Sequence, residues 1–386
     1  MKILMIVHYP FNHNAGAAGV IWRLGQEYEK LDHQVEYYSF DNLPQNWPNR
    51  VKRVIFPLFV ADRIRKLAQQ QAIDVVDAST GDTWLWSKML QNKHPKNPAI
   101  VVRDHGLEHI EHQEFLEDVK LGKRSMSWKY KLYRGSIRLW EEATALHNAD
   151  RVMLLNRRAL NFAVEELGVA LNKARLIVNG IPEYLLNLPL EPVKEPIRIA
   201  QIGTYIPRKG IQYSTPALNK ILERHPQVEV SFFGTECKEC SDIEQIYRDF
   251  DPKFHNRIQV IPRYEHSSLP ELLKDHQIKL LSSTSEAFGM ALVEAMACGL
   301  APVTTNTPGP MEIVTEGKNA IVIPSRDTEA IFEALEKLIC DRFYLEQLRR
   351  NAHKTAQKYS WEKIAKDTLA IYREASYGER IVVKNS

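Results

Sequence analysis

Between Ser282 and Ile313 the chain reads as one unit, SSTSEAFGMALVEAMACGLAPVTTNTPGPMEI, and this stretch limits the possible folds more than any other. An apolar run at 278–281 leads in as a short buried strand. Residues 290–298 are strong helix formers, stopped by Gly299, and a second short strand follows at 301–305. Two short strands joined by a helix are the repeating piece of a parallel α/β sheet. The polar turn between strand and helix then lies at the carboxyl end of a strand, where open α/β sheets bind their ligands.

That turn carries Glu286, and the helix carries Glu294. Eight helical positions rise about 12 Å. A retaining glycosidase holds its two carboxyl groups about 5–5.5 Å apart. The pair therefore reads as two contacts to different parts of one extended ligand. Gly289 opens the helix without a side chain, so a ligand can approach backbone amides and the positive helix end. Spacing alone leaves a plainer reading open, an ordinary crossover with Glu294 on a solvated face.

The same alternation fills the chain. Residues 2–7 read as a buried first strand, followed by a loop rich in Asn, Gly and Ala and a helix over 20–30. Further strands are expected at 34–38, 73–77, 99–103, 151–155 and 175–178. The pattern restarts with strands at 197–202, 228–233, 258–261 and 320–323. Residues 182–196 contain four prolines, the composition of a linker. The expected division is 1–190, 191–360 and a C-terminal segment 361–386 led by a helix over 361–372. No G-x-G-x-x-G follows the first strand, and no cofactor is expected.

Composition excludes several classes. With 386 residues and a net charge of +3, nothing marks a nucleic-acid partner. No run of 18 apolar residues suggests a membrane span. Of four cysteines only Cys237 and Cys240 form a C-x-x-C pair, which reads as reduced thiols in a cytoplasmic protein. One stretch stands out. Over 116–140, Lys120, Lys123, Arg124, Lys129, Lys131, Arg134 and Arg138 interleave with Trp128, Tyr130, Tyr133 and Trp140. This is either an ordinary amphipathic helix or a surface for peripheral contact with anionic lipid. Residues 51–71 add a second basic, partly apolar stretch.

The run EAFGMALVEAMACGLAPV resembles the E-x-F-G-(x)4-E-A-M-A-x-G-x-P-V signature of glycosyltransferase family 4. Other segments are similar to that family too: Asn179-Gly180-Ile181-Pro182, the turn Gly203 to Lys209-Gly210, and Gly309-Pro310-Met311-Glu312. The resemblance implies a GT-B fold, two Rossmann-like doubly wound domains facing across a cleft, with a C-terminal helix crossing back to the first. It also implies a retaining transferase that moves a sugar from a nucleotide-diphosphate sugar to a glycan, lipid-linked or small-molecule hydroxyl acceptor.

Roles follow residue by residue. Arg208 and Lys209, beside the Gly203 turn, would hold the diphosphate, as a bidentate guanidinium and a point charge suit it. Glu286 and the amides around Phe288, Gly289, Met290, Ala291 and Leu292 would hold the donor sugar, and Glu294 the ribose hydroxyls. Arg263 and Tyr264 lie in a segment that would contact the nucleobase through its main chain. His105, just past the strand at 99–103, would reach the donor sugar. Gly16, paired with Ala15 where the family commonly has two glycines, would approach the phosphates or the acceptor. The leaving phosphate would take the acceptor's proton. No Asp-x-Asp is read as holding a metal, so metal independence is expected. Three rivals are a sugar-nucleotide epimerase, a pyridoxal-dependent phosphorylase and a non-catalytic sugar-binding adaptor.

Overall fold

The structure is a computed structural model, and it describes residues 1–11, 16–89, 97–122, 125–237, 239–240 and 242–377. The chain divides into two compact units, Met1–Asn179 with the segment from Trp361, and Gly180–Ser360.

The first unit is built on six parallel strands: β1 (Lys2–Val7), β2 (Gln34–Ser39), β3 (Val75–Ser79), β4 (Ala99–Arg103), β5 (Arg151–Leu154) and β6 (Ala174–Leu176). Their order is β2-β1-β3-β4-β5-β6. The first helix begins at Gly16, earlier than the expected residue 20. β3 starts two positions later than expected, because Ala72 N still closes on Leu67 O of the preceding helix. β1, β3 and β4 are almost wholly buried, which is why they read as continuous apolar runs. The final helix, Trp361–Tyr377, contributes Tyr372 to this unit's interior. There Arg103 Nη2 lies 2.7 Å from Asp77 Oδ2, and the Tyr372 hydroxyl donates to the same carboxylate. A buried ion pair on neighbouring strands thus gives the last helix a polar anchor.

The second unit repeats the plan with β7 (Ile197–Ile202), β8 (Val228–Phe233), β9 (Ile258–Ile261), β10 (Ile278–Leu281), β11 (Ala301–Thr305) and β12 (Ile321–Ile323). The order is β12-β11-β10-β7-β8-β9, again all parallel. Strand order reverses between β7 and β10 here, and between β1 and β3 in the first unit. Turns that follow those strands flank a doubly wound sheet's ligand crevice.

The unit boundary falls at Asn179–Gly180, ahead of the 190/191 boundary that the prolines suggested. The proline-rich segment is packed onto the second unit. Arg349 Nη2 donates to Glu191 O at 2.9 Å, His353 Nε2 bonds Leu188 O at 2.9 Å, and Asn187 N donates to Gln357 Oε1 at 2.8 Å. Composition signals a linker, but these partners lie far along the chain.

Candidate functional site

In the second unit, the turn after β7 runs through Gly203 to a short 3-10 turn, Pro207–Lys209, ended by Gly210. The turn after β10 runs from Ser282 to Gly289 and opens the helix Met290–Ala297. The two turns are clasped together. Ser282 Oγ donates to Lys209 O at 2.9 Å, and Thr284 N donates to Arg208 O at 2.9 Å. Gly210 sits so close that a Cβ there would fall 1.9 Å from Ser282 O. A side chain at 210 would push the turns apart.

The clasp brings Lys209 and Glu286 together, Nζ to Oε2 at 2.7 Å, with Ser283 Oγ also donating to that oxygen at 3.3 Å. Burial opposes the charged form of Glu286, but the Lys209 ammonium beside it wins and holds the carboxyl below its ordinary range. Arg208 is exposed, and its charge adds to the pull of Lys209 on Glu286, but among the described residues its guanidinium makes no hydrogen bond or ion pair. One cation of the expected pair is thus engaged by carboxylate and the other is available to an anion.

The helix that follows begins at Gly289, whose φ of 102° only glycine adopts without strain. Leu292 N and Val293 N reach Gly289 O, whereas the amides of Met290 and Ala291 have no carbonyl to reach within the helix. Phe288 is buried, and the Leu292 side chain is fully buried. Gly309 N donates to Glu286 O at 2.9 Å, and a Cβ on Gly309 would stand 2.4 Å from Phe288 N. The G-x-x-E turn therefore acts as a backstop for the Glu286–Phe288 backbone.

Glu294 is 6% exposed, so the solvated-face reading fails. Its Oε1 lies 2.9 Å from His266 Nε2. The Tyr264 ring covers Gly234 at the end of β8, and burial, then Glu294, raise its phenol pKa. Arg263 is exposed and ion-paired to Glu236 at 2.5 Å, so its side chain is directed to another surface carboxylate.

In the first unit, His105 follows β4 as expected, and its Nε2 is enclosed without a hydrogen-bond partner among the described residues. Burial, with Arg103 and His8 nearby, pushes its imidazole down to about 3, so it is neutral at ordinary pH. Gly16 opens the first helix with φ 53°, and among the described residues a Cβ there would meet nothing within 4 Å. Its expected companion Ala15 lies outside the described residues, as do Lys123 and Arg124 of the basic stretch.

Several residues of interest carry no local signal in the sequence. His8 follows β1 and bonds Asp82, on the turn after β3, at 2.9 Å, so this pair spans the first sheet's switch point. Arg138 is not a surface cation. It is buried beside Glu108 at 3.3 Å, Glu141 at 3.5 Å and Asp82 at 3.8 Å, and donates to Thr80 O at 2.8 Å. The apolar run at 278–281 contains Lys279, which is fully buried and donates to Leu280 O at 3.0 Å. Burial, then Lys209, push its ammonium down to about 7, against the pull of Glu286 and Glu294. An Asp-x-Asp does stand in the chain, Asp249-Phe250-Asp251. Asp249 accepts from the Tyr205 hydroxyl at 2.7 Å, and Asp251 accepts from Lys253 N at the head of the next turn. No cluster of potential metal ligands occurs among the described residues.

The basic aromatic stretch is not one helix. Glu108–Lys120 is followed by a break, then a wide π-type turn, Tyr130–Ile137, that runs into Arg138–Asn148. Trp128, Leu132, Ile137 and Trp140 are exposed there, as are Val51, Val54 and Leu58 on the helix Asn49–Gln69. No described helix is long and apolar enough to cross a membrane.

Two family models match the chain. Residues 15–183 match "Glycosyltransferase Family 4" and residues 189–358 match "Glycosyl transferases group 1". An uncharacterized glycosyltransferase of Methanocaldococcus jannaschii is 28% identical over 53% of this chain and 55% of its own length. A phosphatidylinositol N-acetylglucosaminyltransferase chain of Arabidopsis thaliana is 22% identical over 97% of this chain and 82% of its own. The chain spans about half or less of the first curated relatives. Among solved structures, sucrose-phosphate synthase of Thermosynechococcus elongatus superposes with a TM-score of 0.77 at 20% identity, over 97% of this chain and 98% of that one. HepE of Anabaena, solved with UDP, gives 0.70 at 17% identity over 96% and 99%.

Proposed function

The chain belongs to the family 4, group 1 glycosyltransferases and has the GT-B fold, and from that premise we propose that it transfers a sugar from a nucleoside-diphosphate sugar to a hydroxyl acceptor with retention of configuration. The observation that carries this reading is the Lys209–Glu286 pair, clasped at the second sheet's switch point beside the exposed Arg208. An incoming diphosphate would accept from Arg208 in a bidentate way and share the Lys209 ammonium with Glu286. Positive charge placed where the leaving diphosphate gains negative charge lowers the barrier. Glu286 and the amides of Met290 and Ala291 would accept from and donate to the donor sugar. Neutral His105 would exchange hydrogen bonds with a sugar hydroxyl without adding charge. Glu294 would accept from the ribose hydroxyls.

No carboxylate pair at glycosidase spacing is needed if the leaving phosphate takes the proton of the attacking hydroxyl on the same face. The chemistry so described requires no metal. UDP in the HepE structures favours a uridine donor for this chain. The exposed Trp128, Leu132 and Trp140, set among Lys129, Lys131 and Arg134, support contact with an anionic lipid surface. The lipid named for the phosphatidylinositol relative points the same way.

The test is a thermal-shift screen against UDP, GDP and ADP and their sugars, with product analysis of the best donor. A ligand that binds only the folded chain raises its melting temperature. Stabilisation by one nucleotide series, lost in Lys209→Ala, supports the reading. No shift with any of them, or an epimerised donor as the only product, overturns it.

A further inference from the structure

His266 is bonded on both ring nitrogens. Nε2 lies 2.9 Å from Glu294 Oε1, and Nδ1 meets the Tyr184 hydroxyl. One tautomer satisfies both contacts. The Tyr184 O–H donates to Nδ1, and the Nε2–H donates to the carboxylate. The three residues come from separate places in the second unit: Tyr184 from the short turn Glu183–Leu185, His266 from the turn after β9, and Glu294 from the helix Met290–Ala297. The helix fixes where Glu294 starts. It does not fix how the carboxylate is turned about its last torsion, which is broad for a glutamate. Among the described residues, His266 is the side chain that donates to that carboxylate.

We propose that His266 is a positioning residue for Glu294. It holds Oε1 so that Oε2 and the second lone pair of Oε1 face the vicinal hydroxyls of the donor nucleoside. This rests on the reading of Glu294 as the ribose contact. Tyr184 orients the imidazole in turn, by occupying the nitrogen that would otherwise compete for the proton. Without His266, a nearly buried carboxylate is left short of a donor and free to rotate. The cost then falls on the hydroxyls that Glu294 should accept from, not on the diphosphate or the base.

That selectivity is measurable. Titration calorimetry compares UDP with 2′-deoxy-UDP on the full chain, with the guanosine and adenosine pairs run alongside, for the wild type, Glu294→Ala, His266→Ala and His266→Gln. The wild type should prefer the ribonucleotide by roughly tenfold, in line with one or two charge-assisted hydrogen bonds. His266→Ala should lose most of that preference while binding the deoxynucleotide within about twofold of the wild type. His266→Gln, whose side-chain amide can donate to the carboxylate, should regain the preference, and it keeps the test decisive should His266→Ala not fold. Equal weakening of both nucleotides in His266→Ala, or an intact preference, overturns the proposal. If Glu294→Ala retains the preference, the ribose assignment itself fails and the proposal falls with it. Loss in Glu294→Ala but not in either His266 variant overturns the proposal alone.

Discussion

Glu286 closes on Lys209 at 2.7 Å although the two stand on turns after different strands, β10 and β7, and 77 positions apart in the chain. The pair exists because strand order reverses between those two strands, which places their carboxyl-end turns side by side. Removing Lys209 therefore has two effects. It deletes the cation proposed for the diphosphate, and it takes the ion-pair partner from a largely buried carboxylate. Lys209→Ala should weaken nucleoside-diphosphate binding about 10- to 100-fold, the equivalent of a charge-assisted hydrogen bond of about 1.5–3 kcal/mol. Calorimetric titration with the nucleotide selected by the thermal-shift screen reads this directly.

Glu286 is held below the ordinary carboxylate range. A group whose folded pKa is depressed contributes stability that is present above its unfolded value and lost as pH falls through the folded one. Glu286→Ala should accordingly change the acid limb of the unfolding curve and leave neutral and alkaline stability differences constant. It should also lower transfer about 100-fold, as for loss of one preorganised polar contact to the reacting group. Transfer that is unchanged in Glu286→Ala would falsify the assignment.

Lys279 makes the opposite prediction. Its folded value of about 7 lies below the ordinary lysine value, so the unfolded chain binds more protons between the two. The penalty is fully present below about pH 7 and disappears as pH rises through the ordinary lysine range. Lys279→Met, similar in length and without the charge, should raise stability at neutral pH by several kcal/mol at most, since each pKa unit corresponds to about 1.4 kcal/mol. The gain should vanish in alkali. Denaturant melts of both proteins across pH measure it.

Gly210 and Gly309 are sites of close backbone approach, and Gly16 serves as their control. A Cβ at 210 would meet Ser282 O at 1.9 Å, and one at 309 would meet Phe288 N at 2.4 Å, whereas at 16 it would meet nothing within 4 Å among the described residues. Gly210→Ala should destabilise the second unit by more than the roughly 1 kcal/mol expected from a positive φ alone. Gly16→Ala should stay near that figure. Urea midpoints distinguish the two.

His105 should remain uncharged throughout the range in which histidines ordinarily titrate, because burial, then Arg103 and His8, hold it near 3. Its ring carbon NMR shifts should be flat between pH 5 and 8. A titration of that ring near neutrality would contradict the neutral sugar contact assigned to it.

Much of the fold is legible because buried parallel strands are locally apolar, and because Gly299 and Gly203 mark where elements stop. Glu286, Lys209 and Glu294 can each be singled out by residue type and position. Their partners cannot. Glu286–Lys209, Glu294–His266 and His8–Asp82 all depend on which strand lies beside which, and no local signal carries sheet order. Lys279 is hidden by its apolar neighbours in β10. Arg138 defeats the sequence because basic spacing shows a stripe of charge but not the three carboxylates that bury one member of it. The prolines at 182–196 mark a departure from regular structure, and contacts distant in the chain, from 342–358 and from His266, tie that segment to the second unit.

The second unit opens at Gly180 and closes at Ser360, and Ile181 and Ser360 are bridged in parallel, with Ile181 N also donating to Tyr359 O at 2.6 Å. Its entry and exit therefore lie next to each other. In the language of protein architecture it is an insert, a self-contained cassette whose two ends meet at one doorway in a host chain. A module joined in this way can be exchanged between hosts without re-threading either fold. A chain can then keep such a cassette while the host around it diverges.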